Sequence, residues 1–183
     1  AEEKGRYRPM IAQPSHGLKG HEVSVNYASG TKTTITPLTG ERLYYTASLG
    51  LDYMYRYHWV GAIGGGVEYL YDASLEQGNP RGDAGVLYHS MIGIHAAHEV
   101  KSGGITLIFQ IGSYLWKNVD AKGYIYMRTG IKKHFGDRFF GTFTLKTLSG
   151  LRADYLELAL GYRIINNHHK TIHHPRNHPI LPF

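Results

Sequence analysis

Leu43-Tyr44-Tyr45-Thr46-Ala47-Ser48-Leu49-Gly50-Leu51-Asp52-Tyr53-Met54-Tyr55-Arg56-Tyr57 alternates without a break. Its odd positions are large apolar or aromatic residues, with Ala47 the one small exception, and its even positions are mainly small or polar: Thr46, Ser48, Gly50, Asp52, Arg56. Successive side chains of a strand point to opposite faces, so these fifteen residues read as one strand with an oily and a polar side. Ordinary globular strands run to about five or six residues, whereas about ten residues tilted by about 45° cross the hydrocarbon core of a bilayer. The length therefore predicts a membrane span.

Composition agrees once it is read by position. Only 42% of the residues are hydrophobic, mean hydropathy is -0.31, and no long apolar run exists from which a transmembrane helix could be made. A membrane barrel hides its signal in alternation because half of each strand faces the lumen. The 183 residues suit one domain, and 23 Gly and 15 Tyr suit close-packed strands meeting an aromatic belt. With no Cys there is no disulfide. The start Ala1-Glu2-Glu3, without a charged-then-apolar leader, fits a mature product whose signal peptide has been removed.

Seven further segments alternate: 21–30, 59–72, 85–98, 104–116, 123–135, 139–148 and 154–164. The expected fold is all-β, an eight-stranded antiparallel transmembrane barrel over 21–164, eight being the smallest usual count for closure. Connections such as Tyr57-His58, 99–103 and Gly136-Asp137-Arg138 are short, while 31–42 and 74–84 are longer. Outer-membrane barrels have short periplasmic turns and long outer loops, which places both termini in the periplasm. A soluble lipocalin-like barrel alternates too, with the apolar face inward. The polar face here is built from Gly, Ala, Ser and Thr rather than Lys and Glu, which suits a narrow lumen. Aromatics also gather near both strand ends, as two membrane interfaces require.

The expected lumen collects Glu22, Asp52, Glu68 and Glu157 with Arg56, Arg128, Lys132, Lys146 and Arg163. Buried charges are tolerable only when paired, and eight strands leave room only for side chains, so these groups should plug the barrel rather than line a pore. His89 and His95 are expected in the same interior network. The net charge of +6 is scattered without a basic stripe, which argues against nucleic acid.

Residues 1–20 and 165–183 read as periplasmic tails, polar and Pro-rich, the second also rich in His. Its histidines lack Cys or carboxylate partners, so no metal site is assigned, and no cofactor motif occurs. The apolar end, with Ile180, Leu181 and Phe183, is an expected anchor on another outer-membrane or periplasmic protein.

Phe143-Thr144-Leu145-Lys146-Thr147, then Ala153-Asp154-Tyr155-Leu156-Glu157 and Leu160-Gly161-Tyr162-Arg163, resemble the last hairpin of the outer-membrane lipid A 3-O-deacylases, the acyloxyacyl hydrolase family, particularly short-looped members from Bacteroidota; Tyr69 to Ser74 is similar to its third strand. The resemblance implies an outer-membrane barrel in contact with lipopolysaccharide. It also implies a triad on the outer wall: a His, a Ser two residues later and, past a loop, a Glu. Laid on this chain, the Glu falls on Glu157 and the Ser on Ser149, which puts Thr147 where the His belongs; an alternative alignment puts Leu148 there. Neither is a general base, and without one a serine hydroxyl is a poor nucleophile. Strand parity separates the set further, with Thr147 facing outward and Glu157 inward. Ser149-Gly150 reads instead as a tight outer turn. Lys32, Arg42, Arg81, Lys117, Lys122 and Arg152 are expected in outer loops, where lipid A phosphates would meet them. The expectation is a non-catalytic accessory subunit of an outer-membrane assembly; the alternatives are an active lipid A deacylase and a small transport barrel.

Overall fold

The structure is a computed structural model that describes residues 18–36, 40–78, 85–117, 123–148 and 152–170. Eight strands follow in chain order: β1 (Leu18–Thr36), β2 (Gly40–Arg56), β3 (Gly61–Asp72), β4 (Ser90–Ser102), β5 (Ile105–Lys117), β6 (Ile125–Phe135), β7 (Phe139–Leu148) and β8 (Arg152–Lys170). Each pairs antiparallel with the next, and β8 pairs with β1, so the sheet closes into a barrel. Closure leaves every strand with two neighbours and the sheet without an open edge. At one end, Gly103 and Gly136 hold positive φ in tight turns between β4 and β5 and between β6 and β7, a conformation that costs glycine little.

Alternation positions the side chains as expected. In β2, Leu49, Leu51 and Tyr53 point out and are exposed, while Thr46, Ser48 and Met54 point in and are buried. The same inversion holds around the barrel: Val67, Phe109, Ile131, Phe143 and Leu158 lie outside, and Glu68, Thr106, Arg128, Lys132, Lys146 and Glu157 inside. The apolar face is the outer one, which separates this molecule from a lipocalin-like arrangement.

Strand limits differ from expectation in most strands. β2 starts at Gly40 rather than 43, so residues 31–36 and 40–42, expected in a longer connection, are strand; β4 runs to Ser102 rather than 98, and β6 starts at Ile125 rather than 123. The third strand begins at Gly61 rather than 59, because His58 and Gly61 close a turn through mutual backbone hydrogen bonds of 3.3 and 3.2 Å. The fourth begins at Ser90 rather than 85, since Val86–His89 forms a short 3-10 helix. Strands β1 and β8 are longer than 21–30 and 154–164, pairing from Thr31↔Leu156 to Leu18↔Lys170. Residues 165–170, expected in a tail, thus belong to β8. A bulge opposite Val23/Ser24 inserts Ile164, so Ile164 and Ile165 are both exposed and the two-residue period breaks there. Beyond it the residues are polar, but a ladder is held by backbone groups and does not need an apolar face.

Two small apolar clusters lie at the ends of the interior. Leu70, Leu75, Met91, Tyr114 and Tyr126 pack together at the loop end, where the 3-10 turn Ala73–Gly78 brings Leu75 over the mouth. Met54, Ala62 and Ala97 pack near the turn end. The Glu68–Arg128–Glu157 group lies between them, while Glu22 and Glu99 stand level with Met54 and Ala62.

Candidate functional site in the charged lumen

Arg128, on the inward face of β6, is the hub of the interior. Its Nε donates to Glu157 Oε2 at 2.5 Å, its Nη2 to Glu157 Oε1 at 3.3 Å and Glu68 Oε2 at 3.1 Å, and its Nη1 to Gln110 Oε1 at 2.9 Å. Four strands, β3, β5, β6 and β8, are tied through one guanidinium, whose planar fork suits two carboxylates at once. Thr144 adds a longer hydroxyl contact to Glu157 Oε2 at 3.4 Å.

A second group lies toward the turn end. Lys132 bonds Glu99 and lies 4.0 Å from Glu22, and Arg163 Nε stands 3.2 Å from Glu22 Oε2 while its Nη2 meets His134 Nε2 at 2.8 Å. In a third group, Asp52 accepts from Asn26 Nδ2 at 2.7 Å and lies 3.0 Å from His95 Nε2. Gly66 makes this possible, because a Cβ there would strike the Asp52 carboxylate. Toward the loops, Lys146 is fully buried with Nζ 4.5 Å from the ring centre of Tyr126 and within 5.7 Å of those of Tyr114 and Tyr155, a cation over aromatic faces.

Of the nine charged residues expected inside, the structure brings Arg128, Glu68 and Glu157 together, and Glu22 with Lys132 and Arg163. Asp52 and Lys146 stand in neighbouring groups, and Arg56 is half-buried at the turn end of the same face. His95 joins the network, whereas His89 is buried beside Tyr71 and Tyr88 at the end of the 3-10 helix and lies off the strand. Glu99 is the partner that sequence reasoning missed, having been assigned to a turn. The inward series Met91, Gly93, His95, Ala97 carries on to it and was the available signal.

The outer cations are differently placed than expected. Lys32 lies in β1 rather than a loop, points inward and pairs with the buried Asp154, which the bulge between Lys146 and Thr147 turns inside. Arg42 is exposed in β2, Lys117 ends β5 with Nζ 3.9 Å from the ring centre of Tyr124, and Arg152 begins β8. Arg81, Lys122, Ser149, Ile180, Leu181 and Phe183 lie outside the described residues.

Thr147 is on the outward face of β7, opposite Ala153, while Glu157 is in the lumen opposite Thr144. Leu148 points inward and packs on the loop-end cluster. Whichever of the two residues stands for the base, the Glu157 carboxylate is spent on Arg128 behind the wall.

Among protein families, a model described as the acyloxyacyl hydrolase C-terminal domain matches residues 21–167, a span that touches all eight strands. No curated protein matches the chain.

Proposed function

The chain belongs to the acyloxyacyl hydrolase family, and we propose that within it this barrel is a non-catalytic accessory subunit of an outer-membrane assembly, with both termini on the periplasmic side. The observation that carries the reading is the position of Glu157. A triad relays a proton only if base and acid share one hydrogen-bonded face, and this carboxylate is held inside by Arg128 while Thr147, at the position of the base, is a wall residue without proton affinity.

The exposed belt of Leu, Ile, Phe and Tyr around the barrel supports residence in a bilayer, since so large an apolar surface has no place in water. The paired interior favours a closed barrel over a transport barrel. A partner reached by the segment beyond Lys170 accounts for a role without chemistry. The test is gentle detergent extraction from native membranes, with identification of co-purifying proteins for the full chain and for a chain ended at Lys170. Defined partners lost on truncation support the reading; unchanged partners remove the docking role from the tail. The family match itself favours a second reading, an active lipid A deacylase. Released 3-hydroxy fatty acid that disappears in Ser149→Ala establishes it.

A further inference from the structure

Gly141, on the outward face of β7, leaves a gap in a wall of bulky residues. Its cross-strand neighbours are Lys133 and Leu160, and two positions along its own strand stand Phe139 and Phe143. The missing side chain lets the Phe135 ring lean in, its Cε2 3.1 Å from where a Cβ would stand, and beside it a groove of about 550 Å³ crosses β1, β6, β7 and β8, walled by Ile131, Phe135, Phe143, Leu158 and Leu160. A second groove of about 290 Å³ adjoins it, sharing Tyr27, Phe135 and Leu160 and ending at Phe139 and Tyr162. The depression is almost wholly apolar and open along the outside of the barrel.

Lys133 stands at its rim and is the only Lys or Arg among the described outward side chains of β6, β7 and β8. A cation facing hydrocarbon costs about 2 to 4 kcal/mol at the bilayer midplane and far less near an interface. Its ammonium accordingly runs to the turn end: a Cβ on Gly104, in the turn between β4 and β5, would lie 3.1 Å from Nζ. An apolar groove therefore begins beneath Lys133 at the short-turn rim, and Arg138 in the turn between β6 and β7 marks the far end of the adjoining groove, where its Nη1 donates to the Tyr162 hydroxyl at 2.6 Å.

We infer that this groove seats one acyl chain of a glycerophospholipid from the leaflet on the short-turn side, with the lipid phosphate on Lys133. The charge selects an anionic headgroup, the groove accepts a flexible chain, and the turn-side cation separates this seat from contacts at the long loops. The inference rests on the membrane reading above. Phosphatidylglycerol added to the delipidated full-length barrel in non-ionic detergent, with retained lipid counted by native mass spectrometry, tests it. One lipid per barrel is expected to stay bound. Lys133→Gln should weaken retention about tenfold, as for loss of one charge-assisted contact, and Gly141→Leu should reduce it to background by filling the gap. Ala96→Leu, on the outward face of β4 across the barrel, should leave it unchanged. Equal retention by all variants, or preferential retention of lipid A at the same groove, overturns the assignment. Wild type that inserts into vesicles but retains no lipid defeats this inference alone; wild type that does not insert defeats the membrane reading beneath it.

Discussion

Glu157 and Arg128 face each other across the barrel interior from β8 and β6, joined by two contacts of 2.5 and 3.3 Å. Both are buried, and the same guanidinium also holds Glu68, so one cation balances two acids. Removing Glu157 takes away two of the four hydrogen bonds of Arg128 and leaves Glu68 as its carboxylate partner. Glu157→Ala is expected to lower the unfolding free energy by about 1.5 to 3 kcal/mol, measured by urea titration in lipid vesicles. Glu157→Gln should cost less, because its amide oxygen still accepts from Arg128. Small, equal losses for the two variants would mean that water reaches the pair.

The interior should not conduct. The space bounded by Asn26, Asp52, His95, Gln110, Arg128 and Glu157 measures about 40 Å³, room for isolated waters rather than a continuous file. In a planar bilayer the purified barrel is expected to remain at background current. Steady conductance well above background would show that the ion pairs line a pore instead of filling it.

Tyr126 has no exposed surface, and its ring lies over the backbone of Gly112 on β5, where a Cβ would overlap it. The ring is also held against Tyr114, 4.9 Å between centres, so it has nowhere to move. Gly112→Ala should therefore destabilise the barrel by about 1 to 3 kcal/mol through overpacking. Combined with Tyr126→Leu, it should cost less than the sum of the two single changes, because the smaller side chain vacates its contact while the Ile94 carbonyl oxygen, 2.7 Å from that Cβ, still resists it. Additivity within error in the same urea titration would count against this packing.

Restoring an imidazole at Thr147 should not restore chemistry. Thr147→His places a base on the outer face of β7, but the carboxylate needed to orient it remains inside with Arg128. Purified Thr147→His incubated with lipid A is expected to release no 3-hydroxy fatty acid by mass spectrometry. Release would mean that another acid serves the outer wall.

The two faces of the barrel were legible because a strand's period is two and β2 obeys it over fifteen residues of sequence. What interrupted the period was not. At Ile164-Ile165 and at Leu115-Trp116 a bulge puts two consecutive large residues outside, so alternation ends in the sequence while the ladder continues. The 3-10 helix at Val86–His89 escaped for another reason: Val86, Leu87 and Tyr88 are strand-forming residue types contiguous with β4, although they make no ladder. Parity assigned Arg128, Glu68 and Glu157 to one interior, yet their meeting depends on how far each strand is staggered against the next, and the pattern within a strand carries no stagger. Lys32 shows the same limit. Its pairing with Asp154 needs the bulge between Lys146 and Thr147, which no residue type announces.

Every part of the account requires that the odd residues of β2 meet acyl chains and the even ones do not. The chain has no native cysteine, so Leu51→Cys and Ser48→Cys can each carry one fluorophore without competition. In vesicles of brominated lipid, the label at position 51 should be strongly quenched and the label at 48, in the interior, should be quenched little or fail to attach. Equal quenching at the two positions, or quenching only at 48, would contradict the assignment of the outer face to the membrane.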